Sequence, residues 1–343
     1  MRRRKELSRA VSITDVARLA KVSISTVSRV INKSPSVKEK SRKKVQAVIE
    51  ELNFHPSVFA QRLATGKSNV IALVIPRYEG IFYSFYALEL IRGIGTLAAA
   101  LKLDLLLHLA EPRSTLNLRG IGGAIFADVI SNRKQLEDAL SLGLPSIVIN
   151  NYVEDLAVNC IAIDNRGGAE AVVDYLIGLG HKKIAHITGD LITQAAAMRL
   201  EGYQRALARG KIPARPEYII KTDYSRGQAR QAAQTLLNLP ERPTAVFVAS
   251  DSMALEVMSV ANEYNLKIPG DLSIVGFDDN PSGLYGPVAL TTVRQPLVKM
   301  AQDSVKELSA IMNLGSKAPV KKIFLPTELV IRESCRQPGP SKI

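Results

Sequence analysis

From Asn69 onward, short apolar runs alternate with helical patterns, and this alternation constrains the fold more than any other feature of the chain. Val70–Ile75, Leu103–His108, Ala124–Ala127, Ser146–Ile149, Ile184–Thr188, Ala245–Ala249 and Ser273–Phe277 read as strands, with helical patterns such as Leu88–Leu101, Gly168–Leu179 and Arg226–Leu237 between them. Strands joined by helices pair in parallel, because a parallel connection needs a long crossover that lays its helix on a face of the sheet. Length and repetition predict an α/β protein with two doubly wound parallel-sheet subdomains. A ligand cleft is expected at the carboxyl ends of the strands.

The first 70 residues follow another rule. They hold 16 Lys and Arg against 5 Asp and Glu, a net of +11 out of +13 for the whole chain of 343 residues. A basic module on a near-neutral body is the electrostatic footprint of a polyanion binder. Three short helices are predicted there. Ser12-Ile-Thr-Asp15 is a capping box opening a helix with Val16, Leu19 and Ala20 on one face. Ser23 caps a second helix, burying Val27, Val30 and Ile31 and leaving Ile24, Ser25, Ser28 and Arg29 outside. Ser36-Val-Lys-Glu39 reads as a second capping box, ahead of Val45, Val48, Ile49 and Leu52. Only Lys21-Val22-Ser23 separates the first two helices, the length of a helix-turn-helix connection. Read from the residues alone, this small basic bundle fits either a DNA reader or a protein-interaction module. In a DNA reader, Ile24 and Ser25 meet base edges, Ile24 against a thymine methyl, and Arg29 meets a guanine or a phosphate.

Ile13-Thr-Asp-Val-Ala-Arg-Leu-Ala20, Val22-Ser-Ile-Ser-Thr-Val-Ser-Arg-Val-Ile-Asn32, Asn53-Phe-His-Pro56 and Ala60-Gln-Arg-Leu63 together resemble the start of the lactose-repressor and galactose-repressor (LacI/GalR) family. The resemblance continues through Gly180–Gly189, Arg199–Tyr203, Ala249–Ala254, Ile268–Asp279 and Leu290–Pro296, covering about residues 12 to 333. Lys21 departs from it, standing where many members have Gly at a left-handed position. So does the stretch from Ala110 to Arg119, which is too short for the usual helix. The resemblance implies a helix-turn-helix headpiece before two subdomains of periplasmic-binding-protein type. The expected division is a basic arm over 1–11, a DNA-binding domain over 12–55, a hinge over 56–68, an effector-binding and dimerisation core over 69–336 and a tail over 337–343.

The resemblance implies a sequence-specific regulator, most often a repressor: a cytoplasmic homodimer on a near-palindromic double-stranded operator. DNA contacts are expected from Ser23, Ile24, Ser25, Thr26, Ser28, Arg29 and Asn32, with Leu63 wedged into the minor groove. A small effector, often a sugar or its derivative and sometimes a purine, is expected against Phe82, Tyr83, Asn150, Arg199, Tyr224, Asp251 and Asp279. For three of these the residues leave a second reading open: Asp251 as a helix cap, Arg199 as a structural ion pair, Tyr224 as ordinary packing.

Enzymatic readings find little support. Thr65-Gly-Lys-Ser68 lacks the first glycine of a phosphate loop, since position 61 is Gln, and Gly93-Ile-Gly95 neither follows a strand nor has a third glycine. Cys160 and Cys335 lack metal-ligand spacing, and His181 and His186 read as structural. No cofactor, metal or membrane span is expected. The basic Arg2–Lys5 start is followed by no apolar run of a secretory signal, and the tail from Gln337 carries no heptads.

Overall fold

The computed structural model describes residues 11–32, 34–54, 68–78, 81–111, 115–314 and 319–339. They belong to two compact units divided between Ser68 and Asn69.

The first unit holds α1 (Ile13–Ala20), α2 (Ile24–Ile31) and α3 (Glu39–Glu51). Ser12 and Asp15 form a complete capping box: the Ser12 hydroxyl accepts the Asp15 N–H at 3.3 Å and the Asp15 carboxylate accepts the Ser12 N–H at 3.0 Å. Lys21 closes α1 at φ 56° and ψ 45°, the left-handed conformation expected of it, which costs an L-residue what glycine is spared. Val16, Val27 and Val45 are fully buried at the centre, with Phe54 closing the bottom. Two expectations fail here. Leu19 is 49 % exposed, and Ala17 takes the inner position instead, because the buried stripe Val16-Ala17-Ala20 must face both α2 and α3. Ser36 does not cap α3 either. The helix starts at Glu39 with no side-chain cap, while the Ser36 hydroxyl meets that of Ser34 at 2.9 Å. Arg42 holds this longer turn by donating to the Ser34 carbonyl at 2.7 Å.

In the second unit the first subdomain is a parallel sheet of β1 (Val70–Pro76), β2 (Asp104–Ala110), β3 (Gly123–Ala127), β4 (Ser146–Ile149), β5 (Asn159–Ile163) and β11 (Lys322–Leu325), in the order β11-β5-β4-β3-β1-β2. Helices α4 (Phe85–Ala100) and α10 (Leu297–Leu314) cover one face and α5 (Arg133–Ser141) the other. The second subdomain is a parallel sheet of β6 (Ile184–Ile187), β7 (Ile219–Ile220), β8 (Ala245–Val248) and β9 (Ser273–Val275), ordered β7-β6-β8-β9. Here α6 (Asn165–Gly178) and α7 (Gln194–Arg209) lie on one face, α8 (Arg226–Leu237) and α9 (Asp251–Glu263) on the other. Both doubly wound sheets stand as expected. Apolar strands follow from this burial, since a sheet covered twice has no wet face.

The chain passes between the subdomains three times: from β5 into α6, from β10 (Thr292–Arg294) into α10, and from β11 into β12 (Glu328–Val330). β10 and β12 pair antiparallel, so the second and third passages are stitched together. The described residues between β2 and β3 contain no helix, in keeping with the short sequence there. Among the described residues no helix is long and apolar enough to cross a membrane.

Candidate DNA interface and intersubdomain cleft

The N-terminal turn of α2 is built from hydroxyls. Ser23 Oγ accepts the Thr26 N–H at 3.2 Å and lies 2.8 Å from Ser25 Oγ and 2.9 Å from Thr26 Oγ1. The outer face carries Ile24 at 48 % exposure, with Ser25, Arg29 and Asn32 exposed and Ser28 half-buried. Among the described residues Arg29 has no acidic partner, so its guanidinium is free for a phosphate or a base edge. Asn32 is at 3.5 Å from the Ser28 hydroxyl, a loose contact that a ligand can displace. One helix face thus presents donors, acceptors and one apolar side chain at its amino end, where the peptide dipoles favour an anion. Leu63 and the basic arm Arg2–Lys5 lie outside the described residues.

In the second unit the strand ends converge on a cleft. β3 leads to Asp128 and β4 to Asn150, while β8 leads to Ser250-Asp251 and β9 to Asp278. Asp128, Asn150, Tyr224, Asp278 and Asp279 all have positive φ, at 47°, 61°, 68°, 135° and 57°. Non-glycine residues adopt such angles rarely, and clusters of them mark sites where geometry outranks stability.

Arg199 is 4 % exposed. Its Nε donates to Asn165 Oδ1 at 2.9 Å, its Nη1 to the Ala249 carbonyl at 2.6 Å, and its guanidinium lies 3.7 Å from the centre of the Phe277 ring. Among the described residues no carboxylate takes it in an ion pair, so neutral groups hold it in place while its charge acts on the nearby carboxyls of Asp128 and Asp278. Asp278 accepts from Gln295 Nε2 at 2.6 Å, and burial pushes its carboxyl well above the usual range; Arg199 pulls the other way and Asp251 adds to the rise. Asp251 is fully buried and raised for the same first reason. Its carboxylate accepts from Thr292 Oγ1 at 2.6 Å and the Asn280 N–H at 2.7 Å. It is not the cap of α9, a role that falls to Ser250.

Across the cleft, Asn150 donates from Nδ2 to Asp128 Oδ1 at 2.6 Å, and its own Oδ1 accepts nothing. The Tyr86 hydroxyl is buried beside both, without a well-directed hydrogen bond. Burial raises Asp128, partly offset by these neighbours and by Arg199 opposite. The two subdomains are also clasped directly: Gln194 Oε1 accepts the Tyr152 N–H at 2.6 Å and Gln194 Nε2 donates to the Tyr152 carbonyl at 3.0 Å. Tyr224 lays its ring over Gly189, where an added Cβ would sit 2.0 Å from the ring.

The residues singled out from the sequence thus separate. Asn150, Arg199 and Tyr224 come together around the cleft. Asp251 is bonded into its own subdomain, and Asp279 is ion-paired with Arg294 (2.7 Å) and Arg332. Phe82 and Tyr83 stand 56 % and 91 % exposed on the single turn Ile81–Tyr83. The sequence reading missed Asp128, Tyr86, Asp278, Asn165 and Gln194. Asp128 directly follows the run Ala124–Ala127, so the strand-end rule pointed to it; nothing in the local pattern marks Gln194. His181 is hydrogen-bonded to Thr244 Oγ1 (2.8 Å) and the Arg336 carbonyl (3.0 Å), and His186 to the Phe247 carbonyl (3.0 Å).

A helix-turn-helix unit ahead of a two-subdomain core with a polar cleft defines a ligand-responsive DNA-binding regulator. The family described as bacterial regulatory proteins of the lacI family matches residues 12–57, and a periplasmic binding protein-like domain matches residues 173–335. Catabolite control protein A of Priestia megaterium is 34 % identical over 335 residues, spanning 95 % of this chain and 99 % of its own. A lac repressor dimer bound to operator and the anti-inducer ONPF is similar in structure, with a TM-score of 0.81, 28 % identity and coverage of 96 % of this chain and 100 % of its own. The regulator CelR in complex with cellobiose has a TM-score of 0.70 at 26 % identity, with coverage of 94 % and 99 %. The chain belongs to the LacI family of bacterial regulatory proteins. It is a DNA-binding transcription regulator, not an enzyme.

Proposed function

We propose that the chain is a cytoplasmic, homodimeric repressor that holds a near-palindromic operator and is switched by a small polar effector, sugar-like, in the intersubdomain cleft. On this reading residues 12–55 form the DNA-binding domain, 56–68 a hinge with Leu63 at the minor groove, and 69–336 the effector-binding and dimerisation core. Ser23, Ile24, Ser25, Thr26, Ser28, Arg29 and Asn32 meet the operator. Arg199, Asn150 and Tyr224 meet the effector, joined by Asp128 and Asp278, with Asp251 and Asp279 shaping the loops around them and Phe82 and Tyr83 at the rim.

The observation that carries the reading is Arg199: a buried guanidinium at the meeting of two subdomains, oriented by three neutral contacts and, among the described residues, in no ion pair. Relatives support the rest, since one structure is a dimer on operator DNA and another holds cellobiose. The effector acts by differential affinity for two subdomain poses, so its influence is bounded by that difference. The test is a genomic-fragment binding selection at fixed salt, repeated with sugars and nucleobases and with Arg199→Ala. Enrichment of a short palindrome, released by one compound in the native protein but not in the variant, is expected. Sequence-blind binding unaffected by every compound would sink the reading.

A further inference from the structure

We propose that Lys21 is a DNA phosphate contact of this chain, a charge set in the turn between α1 and α2 where a glycine would fold more easily. The inference rests on α2 meeting the operator, and it adds a residue that the resemblance to the family does not supply.

The backbone itself fixes Lys21 in the left-handed conformation. Its N–H donates to the Arg18 carbonyl at 3.3 Å, and the N–H of Val22 donates to the Ala17 carbonyl at 3.0 Å. Closing α1 in this way asks for a positive φ, and φ is 56°. Glycine meets that demand without steric cost and lysine does not. Nothing inside the fold offsets the difference. The side chain is exposed, and among the described residues no carboxylate or carbonyl takes its ammonium. Strain that the fold leaves unrewarded points to a role outside it.

The position of the charge says where that role lies. From Ile13 to Ile31 the basic residues are Arg18, Lys21 and Arg29. Arg18 is turned to Asp15 at 3.4 Å, which leaves Lys21 and Arg29 uncommitted. These two bracket the end of α2 that bears the Ser23, Ser25 and Thr26 hydroxyls. Lys21 precedes Ser23 by two residues, a backbone reach of at most about 7 Å. Arg29 follows Ser23 by six, about 9 Å along the helix axis. Charges so spaced around an inserted helix end suit a major groove about 12 Å wide with phosphates along both walls. An ammonium on a flexible stem is a point charge, fitted to a phosphate oxygen more than to the planar two-bond pattern of a base edge. Lys21 therefore adds affinity and salt dependence, and no sequence preference.

The test compares Lys21→Gly, Lys21→Arg and Arg29→Ala with the native full chain. Each is titrated with mixed-sequence duplex DNA, and with the palindrome enriched by selection, between about 50 and 200 mM salt. Lys21→Gly should lower the salt slope by about 0.9 on both duplexes, so the native advantage shrinks about 3.5-fold across that range. Lys21→Arg should keep the native slope. Amide hydrogen exchange in α1 and α2 of Lys21→Gly should be as slow as in the native chain or slower, so weaker binding is not lost folding. A native slope in Lys21→Gly, while Arg29→Ala alters affinity or preference, removes Lys21 and leaves the placement of α2 standing. If neither variant alters binding, that placement falls and the proposal with it. Faster exchange in Lys21→Gly, or a slope that falls equally in Lys21→Arg, overturns the proposal, because the side chain then serves the fold and not a phosphate.

Discussion

His186 shows how far a buried residue's chemistry is set by its surroundings. Its ring is stacked on Phe247 at 4.4 Å and on Tyr203 at 5.2 Å. Nδ1 must donate, since its partner is the Phe247 carbonyl, and Nε2 is then a buried lone pair with no partner. Burial pushes the imidazole down to about 4, and the nearby Arg199 disfavours its protonation further. The unfolded chain takes up this proton near pH 6.5 and the folded chain only near 4, so the residue costs stability as pH falls through that window and nothing above it. In His186→Phe, which keeps the stacking, the acid loss should shrink by about 3 kcal/mol relative to native protein between pH 7 and 4. Differential scanning calorimetry of both proteins across that range checks it; parallel curves would show that the ring titrates normally.

At the scale of elements, the close crossing of α6 and α7 depends on Gly202. A Cβ there would lie 2.4 Å from the Arg166 carbonyl oxygen and 2.9 Å from Ala169 Cβ. Because backbone is in the way, Gly202→Ala should destabilise by roughly 1–3 kcal/mol, measured by urea unfolding, although alanine favours helix. An unchanged midpoint would mean that the helices part easily.

Elements also differ in how legible they were. β1, β3, β4 and β8 are mostly Val, Ile, Ala, Leu and Phe, apolar runs that stand out in the sequence. β5 is as deeply buried, yet Asn159 and Cys160 break its apolar run. β11 begins with a lysine and lies at an edge, where one side needs no apolar cover. The headpiece was legible where caps are local, as with Ser12 and Ser23, and misread at Ser36, where Arg42 reaches back eight residues to fix the turn. The site follows the same division. Arg199, Asn150 and Tyr224 came from the family resemblance. Gln194 gains its role only from a residue 42 positions away.

On the scale of the whole molecule, that clasp is the point where pose is negotiated. Gln194→Ala removes both bonds to the Tyr152 backbone. The open pose should then gain population, seen as a larger radius of gyration by small-angle scattering and weaker effector binding. An unchanged scattering curve would place the control elsewhere. Charge is distributed over the same scale, with most of the excess in the first 70 residues. Each phosphate neutralised adds about 0.9 to the salt slope of DNA binding. Arg29→Ala should therefore reduce that slope by about 1 if Arg29 meets phosphate, and leave it unchanged with relaxed sequence preference if it meets a base. A variant altered in neither respect would remove Arg29 from the interface.

The three passages between the subdomains impose an order on synthesis. As the nascent chain leaves the ribosome, residues 70–163 arrive with five strands of the first sheet but without α10 to cover one face or β11 to close the β5 edge. Those pieces emerge only after the whole second sheet has been made. Until α10 is complete at Leu314, Ile71, Leu73, Ile125 and Ile147 lack the cover of Met300, Val305 and Leu308, and until Leu325 is available the β5 edge remains a template for another chain. A ribosome that stalls or terminates within residues 164–296 therefore releases a sticky half-domain beside a finished or half-finished neighbour. For the cell, the last quarter of this reading frame acts as the seal on its first half.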